Sequence, residues 1–183
     1  MRRVSVVGST GSGKTTFARA LAPILGVPRV ELDALNWGPN WIPVDDATFQ
    51  QRVAAATSGD AWVVDGNYGG RGARDIIWPR ADTVVWLDPP LRVTLARLWR
   101  RSVGRIRSRE ELWNGNRETF RNTFVSRDSL FVWALKTYRR RKRIYRDLLA
   151  RPENAHLEVH HFTSAADADR WLEAQRDLTG SRI

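Results

Sequence analysis

Three groups of residues are typed and spaced for phosphate chemistry. The first is Gly8, Ser9, Thr10, Gly11, Ser12, Gly13, Lys14 and Thr15, which fit G-x-x-x-x-G-K-[ST] at every fixed position. Glycines at 8, 11 and 13 let the backbone turn tightly with its N–H groups pointing inward, an anion cradle. Lys14 is placed to reach the β- and γ-phosphates of a nucleotide, and the Thr15 hydroxyl to ligate Mg²⁺. Thr16 adds a neighbouring hydroxyl. The second group is Asp33, Asp65 and Asp88, each closing a short apolar run. A nucleotide-bound Mg²⁺ commonly takes support from a carboxylate on a neighbouring strand, and phosphoryl transfer to a hydroxyl takes a carboxylate that orients it or accepts its proton. Asp33 and Asp65 are the stronger candidates: Asp65 or Asp33 to support the metal with Thr15, and Asp33 to orient or activate the acceptor hydroxyl. The competing reading makes each acid a helix cap or turn residue.

The third group is basic. The net charge is +10, but residues 97 to 146 hold sixteen Arg or Lys against four acids, a local +12 that leaves the rest at −2. One strongly basic segment on a near-neutral chain points to an anionic partner there. Arg97, Arg100 and Arg101 sit where the segment begins and could stabilise charge on a transferring phosphoryl group. The alternative is nucleic acid bound along 97 to 146, with Arg139 to Arg143 on a helix. Five consecutive charges encircle more than one face, so part of that run is solvated on either reading. Asn67, Tyr68, Arg71 and Arg74 follow Asp65 in a glycine-rich stretch, where an arginine could clamp a phosphate or carboxylate. Trp37 and Trp41 follow Asp33 and could stack on a planar substrate or pack their loop onto the core.

The elements that must position these groups can be read from pattern. Val4, Val6 and Val7 predict a buried strand before the glycine loop, and Phe17, Ala18, Leu21, Ala22 and Leu25 a helix after it, ended by Gly26 and Pro28. Further strands are expected at 29–32, 61–64, 83–87 and 157–162. Helices are expected at about 47–58, 73–78, from Pro90 through Trp99, at 127–150, and after Ser164 to include Trp171, Leu172 and Leu178; 34–44 reads as a loop. Strands alternating with helices give a parallel sheet covered on both faces, whose ligands bind beyond the carboxyl ends of the strands. Gly8, Asp33, Asp65 and Asp88 all fall at such ends. At 183 residues with no cysteine and no stretch of membrane-spanning length, one domain and a soluble cytoplasmic protein without a secretory leader are expected.

The order of these motifs resembles the adenylate-kinase-like branch of P-loop kinases, and within it the proteins called topology modulation proteins. The likeness is carried by GSTGSGKTT at 8–16, VELDALNWGPNW at 30–41, WVVDGNYGG at 62–70 and ADTVVWLDPP at 81–90. It implies a three-layer α/β/α fold with a five-stranded parallel sheet in the order 2-3-1-4-5, over 1–183, with 103–126 as a lid. It also implies an ATP site at Gly8 to Thr15, an acceptor pocket near Asp33, Trp37 and Asp65 to Arg74, and lid arginines near Arg97, Arg100 and Arg101. Nucleoside monophosphate kinases carry Asp-Gly-Phe-Pro-Arg after the third strand. Here the sequence is Asp65-Gly66-Asn67-Tyr68, which argues against AMP as acceptor. The expectation is therefore an ATP- and Mg²⁺-dependent phosphotransferase on a small molecule, with an ATP-gated nucleic-acid binder or a simple ATPase as alternatives.

Overall fold

A computed structural model describes residues 1–108, 110–117 and 130–180. Five parallel strands, β1 (Arg3–Gly8), β2 (Arg29–Glu31), β3 (Trp62–Asp65), β4 (Thr83–Leu87) and β5 (Glu158–Phe162), form one sheet in the order β2-β3-β1-β4-β5. Among the described residues seven α-helices connect or follow them: α1 (Lys14–Leu25), α2 (Leu32–Asn36), α3 (Asp46–Ala56), α4 (Ala73–Ile77), α5 (Leu91–Ser108), α6 (Leu130–Leu149) and α7 (Ala165–Gly180).

The sheet is central because its strands are apolar on both faces. Val4, Val6, Val63, Val85 and Leu87 pack under Phe17 and Leu21 of α1 and Ala168 and Leu172 of α7. The alternate residues Val7, Trp62, Val64, Val84 and Trp86 pack under Phe49 and Val53 of α3, Ile77 of α4 and Tyr145 and Leu148 of α6. Each fully buried valine or leucine contributes about 1.5–3 kcal/mol of transfer free energy. That burial on two faces holds the carboxyl ends of β1, β2, β3 and β4 in one rim.

Several boundaries differ from the sequence reading. The second strand stops at Glu31, and Leu32 and Asp33 open the short helix α2. Leu32 is buried, and a Cβ on Gly66 would lie 2.7 Å from its Cβ, so the chain bends under the β3 loop there. The expected loop at 34–44 thus contains most of α2 and a 3-10 turn at Pro39–Trp41. Helix α5 continues through Ser108 and takes in the first part of the expected lid; residue 109 and residues 118–126 of that lid lie outside the described residues. The buried stripe of α5 is Thr94, Leu98 and Ser102, which leaves Trp99 about half exposed. Leu178 and Ile144 are likewise exposed.

Candidate active site

The glycine loop leaves β1 at Gly8 and enters α1 at Lys14. Gly8 has φ 148°, and a Cβ there would stand 2.2 Å from the Leu87 carbonyl oxygen of β4. Gly11 has φ 80°, and a Cβ there would stand 2.7 Å from the Thr94 carbonyl oxygen of α5. Both positions therefore exclude any side chain. Inside the loop, Ser12 N–H donates to the Ser9 carbonyl at 3.1 Å and Lys14 Nζ to the same oxygen at 2.9 Å. Arg97 Nη1 donates to the Ser12 carbonyl at 2.9 Å. The hydroxyls of Ser9 and Ser12 are buried without a hydrogen-bond partner among the described residues. Buried polar atoms left so at a glycine-rich helix N-terminus fit an anion ligand. Thr10 is half-buried in the loop, and Thr16 is exposed on the wall of the adjoining cavity.

Two carboxylates flank Lys14. Asp65, nearly inaccessible at the end of β3, accepts from the Thr15 hydroxyl at 3.3 Å and from Arg29 Nη1 at 2.9 Å. Burial, with Glu31 adding its charge, pushes the Asp65 carboxyl up to about 6 against the opposing pull of Lys14 and Arg29. Asp33, at the start of α2, accepts from the Tyr68 hydroxyl at 2.5 Å. Tyr68 itself is held well above the usual phenol range by burial and by Asp33. Burial, with Arg141 reinforcing it, lowers Lys14 to about 8, while Asp33 and Asp65 oppose the shift. Both acids are thus close enough to act on the lysine's charge. The donor set of Thr15 and Asp65 fits Mg²⁺, which takes few protein ligands and fills its octahedron with phosphate oxygens and water. Among the described residues there is no group of three or more His, Cys, Asp or Glu placed to hold a metal ion.

Beside the loop lies a cavity of about 690 Å³. Gly11 to Thr16 form its floor, and Arg97, Arg100, Arg101 and Arg105 of α5 line one wall. Phe162, the last residue of β5, and Ser164 just after it also line the cavity. All three predicted α5 arginines therefore stand on this cavity.

Other predicted residues have different occupations. Asn67 donates from Nδ2 to the Gly8 carbonyl at 2.6 Å and accepts at Oδ1 from Gly8 N–H at 3.2 Å and Tyr145 hydroxyl at 2.8 Å. Its amide is a splint on the glycine loop. Arg71 pairs with Asp46 at 2.6 Å, donates to Asn36 and the Val44 carbonyl, and lies over the Phe49 ring, which ties α3 to the β3 loop. Arg74 packs over Trp78 and meets Asp75 at 3.6 Å. Trp41 donates from its indole to the Arg117 carbonyl at 3.2 Å and stands edge-on to Trp37 and Trp113, so it joins two loops. Asp88 is buried and bonded to Lys142 at 2.7 Å and His161 at 3.2 Å, which makes it an anchor for α6.

Sequence reasoning missed Arg29 and Arg141. Arg29 pairs with Asp65 at 2.9 Å. Arg141 was grouped with a run of surface charge, yet it shares a stripe with Ala134, Tyr138, Tyr145 and Leu148, the face α6 turns inward. That spacing of four, three, four and three was the available signal. Its neighbour Lys142 is taken up by Asp88, so only Arg139, Arg140 and Arg143 of the run are exposed.

No protein-family model matches the chain, and the search of curated proteins found no match. Solved structures do match. A shikimate kinase from Acinetobacter baumannii in complex with shikimate superposes with a TM-score of 0.59 at 19% identity, over 100% of this chain and 94% of that one. A shikimate kinase from Aquifex aeolicus gives 0.56 at 14% identity, over 98% of each chain. A gluconokinase from Sinorhizobium meliloti gives 0.53 at 18% identity, over 99% of this chain and 94% of that one. The chain has the fold of the P-loop kinases. The narrower likeness to topology modulation proteins, and with it a nucleic-acid partner, gains no support from these comparisons. Among the described residues no helix is long and apolar enough to cross a membrane.

Proposed function

We propose that the protein is an ATP- and Mg²⁺-dependent phosphotransferase acting on a small hydroxyl-bearing acceptor, with 103–126 serving as a lid on a single catalytic domain. The observation that carries this reading is the convergence of Lys14, Thr15, Asp65 and Asp33 at one rim, with the arginine-lined cavity beside them. Superposition with small-molecule kinases over nearly the whole chain supports it.

Bound Mg²⁺ would supply charge neutralisation between the β- and γ-phosphates, held through Thr15 with Asp65 behind it. Backbone N–H groups of Gly11 to Lys14 seat the phosphates. Lys14, with Arg97, Arg100 and Arg101, neutralises negative charge that develops as the γ-phosphoryl group leaves ADP. Asp33 takes the proton of the acceptor hydroxyl as its oxygen bonds to phosphorus, and the Tyr68 hydroxyl fixes the orientation of that carboxylate. The site needs little else, because such catalysis is mostly positioning and electrostatics. The half-burial of Arg141 and the pairing of Lys142 with Asp88 favour this reading over a nucleic-acid binder, since they leave only three of the run's five charges exposed.

The test is ADP release from Mg·ATP with and without a panel of sugars, hydroxy acids and nucleosides, the product identified by mass spectrometry. Stimulation by one acceptor, abolished by Lys14→Ala, is the expected result. Full turnover in Lys14→Ala would remove the glycine loop from the mechanism.

A further inference from the structure

Two short loops meet across the acceptor side of the rim, and they have the same construction. In the first, Gly38 N–H donates to the Ile42 carbonyl at 2.8 Å and Ile42 N–H returns to the Pro39 carbonyl at 3.2 Å. In the second, Leu112 N–H donates to the Asn116 carbonyl at 2.7 Å and Asn116 N–H returns to the Trp113 carbonyl at 3.3 Å. The third residue of each is a left-handed asparagine, Asn40 (φ 58°, ψ 29°) and Asn114 (φ 57°, ψ 40°). The fourth is left-handed too, Trp41 at φ 57° and Gly115 at φ 78°. An antiparallel bridge closes each loop, Trp37 with Pro43 and Glu111 with Arg117.

The loops are joined mainly through one side chain. Asn116 is buried; its Nδ2 donates to the Gly38 carbonyl at 2.8 Å and its Oδ1 accepts from Trp41 N–H at 2.7 Å. Asn114 Nδ2 adds a bond to the Trp37 carbonyl at 2.5 Å, and the Trp41 and Trp113 rings meet edge to face at 6.3 Å. Each loop is also tied to one half of the site. Trp37 N–H donates to the Asp33 carbonyl at 3.1 Å, so the first loop continues the helix that carries Asp33. The second begins just past Glu110, which lines the arginine-walled cavity and pairs with Arg105 at 3.6 Å.

We infer that Asn116 is a positioning residue that registers the Asp33 loop against the segment following α5, so that nucleotide binding in the cavity orders residues 36–43. The inference rests on the nucleotide-binding reading of the cavity and not on the identity of the acceptor. Its physical basis is a continuous set of bonds from Arg105 and Glu110 through Asn116 to Trp41, Trp37 and Asp33, a path along which both ligands would bias one element. A direct consequence is that the acceptor meets an ordered Asp33 only when nucleotide is in place.

The test is amide hydrogen exchange of the full chain, with and without a non-hydrolysable ATP analogue and Mg²⁺, in wild type, Asn116→Ala and Asn114→Ala. Analogue binding is measured in parallel by calorimetry and folding by circular dichroism. In wild type the analogue should slow exchange over 36–43 by at least about fivefold, the lower end of typical coupling between sites. Asn116→Ala should still bind the analogue but lose that ligand-dependent slowing, and Asn114→Ala, with one bond removed at an exposed position, should lose part of it. A merely structural asparagine would raise exchange over 36–43 equally with and without ligand, leaving the difference intact in both variants; that result overturns the inference. Binding in wild type with no change over 36–43 also overturns it while sparing the phosphate site. Failure of wild type to bind the analogue overturns the phosphate site and this coupling together.

Discussion

Lys14 is surrounded by cations as well as by its two carboxylates, and that sets its behaviour with pH. Desolvation and Arg141 hold it near 8, so in the free protein it loses charge above that pH. Nucleotide affinity should therefore fall above about pH 8, and Arg141→Gln should move that alkaline limb upward, as calorimetric titrations across pH would read. Asp65 gives the opposite limb. Its carboxyl is raised from 3.8 to about 6, so the folded state holds the proton more tightly than the unfolded chain. That contribution to stability is present below about pH 4 and lost as pH rises through 6. Metal support needs the ionised form, so Mg²⁺-dependent nucleotide affinity should weaken below about pH 6, checked by Mg²⁺ titration on either side of that value. Asp33→Asn should cut turnover by about 10²–10⁴-fold while leaving analogue binding unchanged, the signature of a lost general base. At this scale Gly8 to Thr15, Asp33 and Asp65 were legible, because the motif and the strand-end acids carry their chemistry in residue type. Asn67 and Arg71 were not, since both are polar residues in a glycine-rich loop and only the fold shows that their donors are taken by Gly8, Asp46, Asn36 and Val44.

Among the elements, α6 is the one whose role changed most between sequence and structure. It buries Ala134, Tyr145 and Leu148, turns Arg141 toward Lys14, and is fastened to the sheet by Lys142 on Asp88. Asp88 has His161 as its other partner, and that ring stacks on Trp86 at 3.9 Å. Lys142→Met removes one of two partners from a buried carboxylate and should cost about 1–3 kcal/mol, read from urea unfolding midpoints. The strands could be read closely, because valine-rich runs end at Asp65 and Leu87 and are punctuated by Gly66 and Pro89. Helix α2 could not, since five residues make little more than one turn and show no period. The paired loops at 38–42 and 112–116 were invisible for a different reason: their hydrogen bonds join segments far apart in sequence through asparagine side chains that fit many kinds of turn.

The molecule as a whole concentrates positive charge around one cavity, where Lys14, Arg97, Arg100, Arg101 and Arg105 face the same space. Self-repulsion there is relieved by any bound polyanion, so tripolyphosphate at about a hundred times its Kd should raise Tm by about 5–10 °C. Sodium chloride at equal ionic strength should do much less, and Lys14→Ala should lose most of the difference in a thermal-shift assay. The overall charge was plain from composition and its spacing pointed to Arg97, Arg100 and Arg101; that Arg105 lines the same cavity, Arg141 lies on the inward face of α6 and Lys142 holds Asp88 is seen only in the fold. The splint that Asn67 places on both backbone groups of Gly8 has a kinetic meaning. The mouth of the phosphate cradle is built before any ligand arrives, so capture requires no slow rearrangement of the chain. Association should then be governed by encounter, accelerated by the cationic wall, and its rate constant should decline steeply as salt is added while the departure rate stays nearly level.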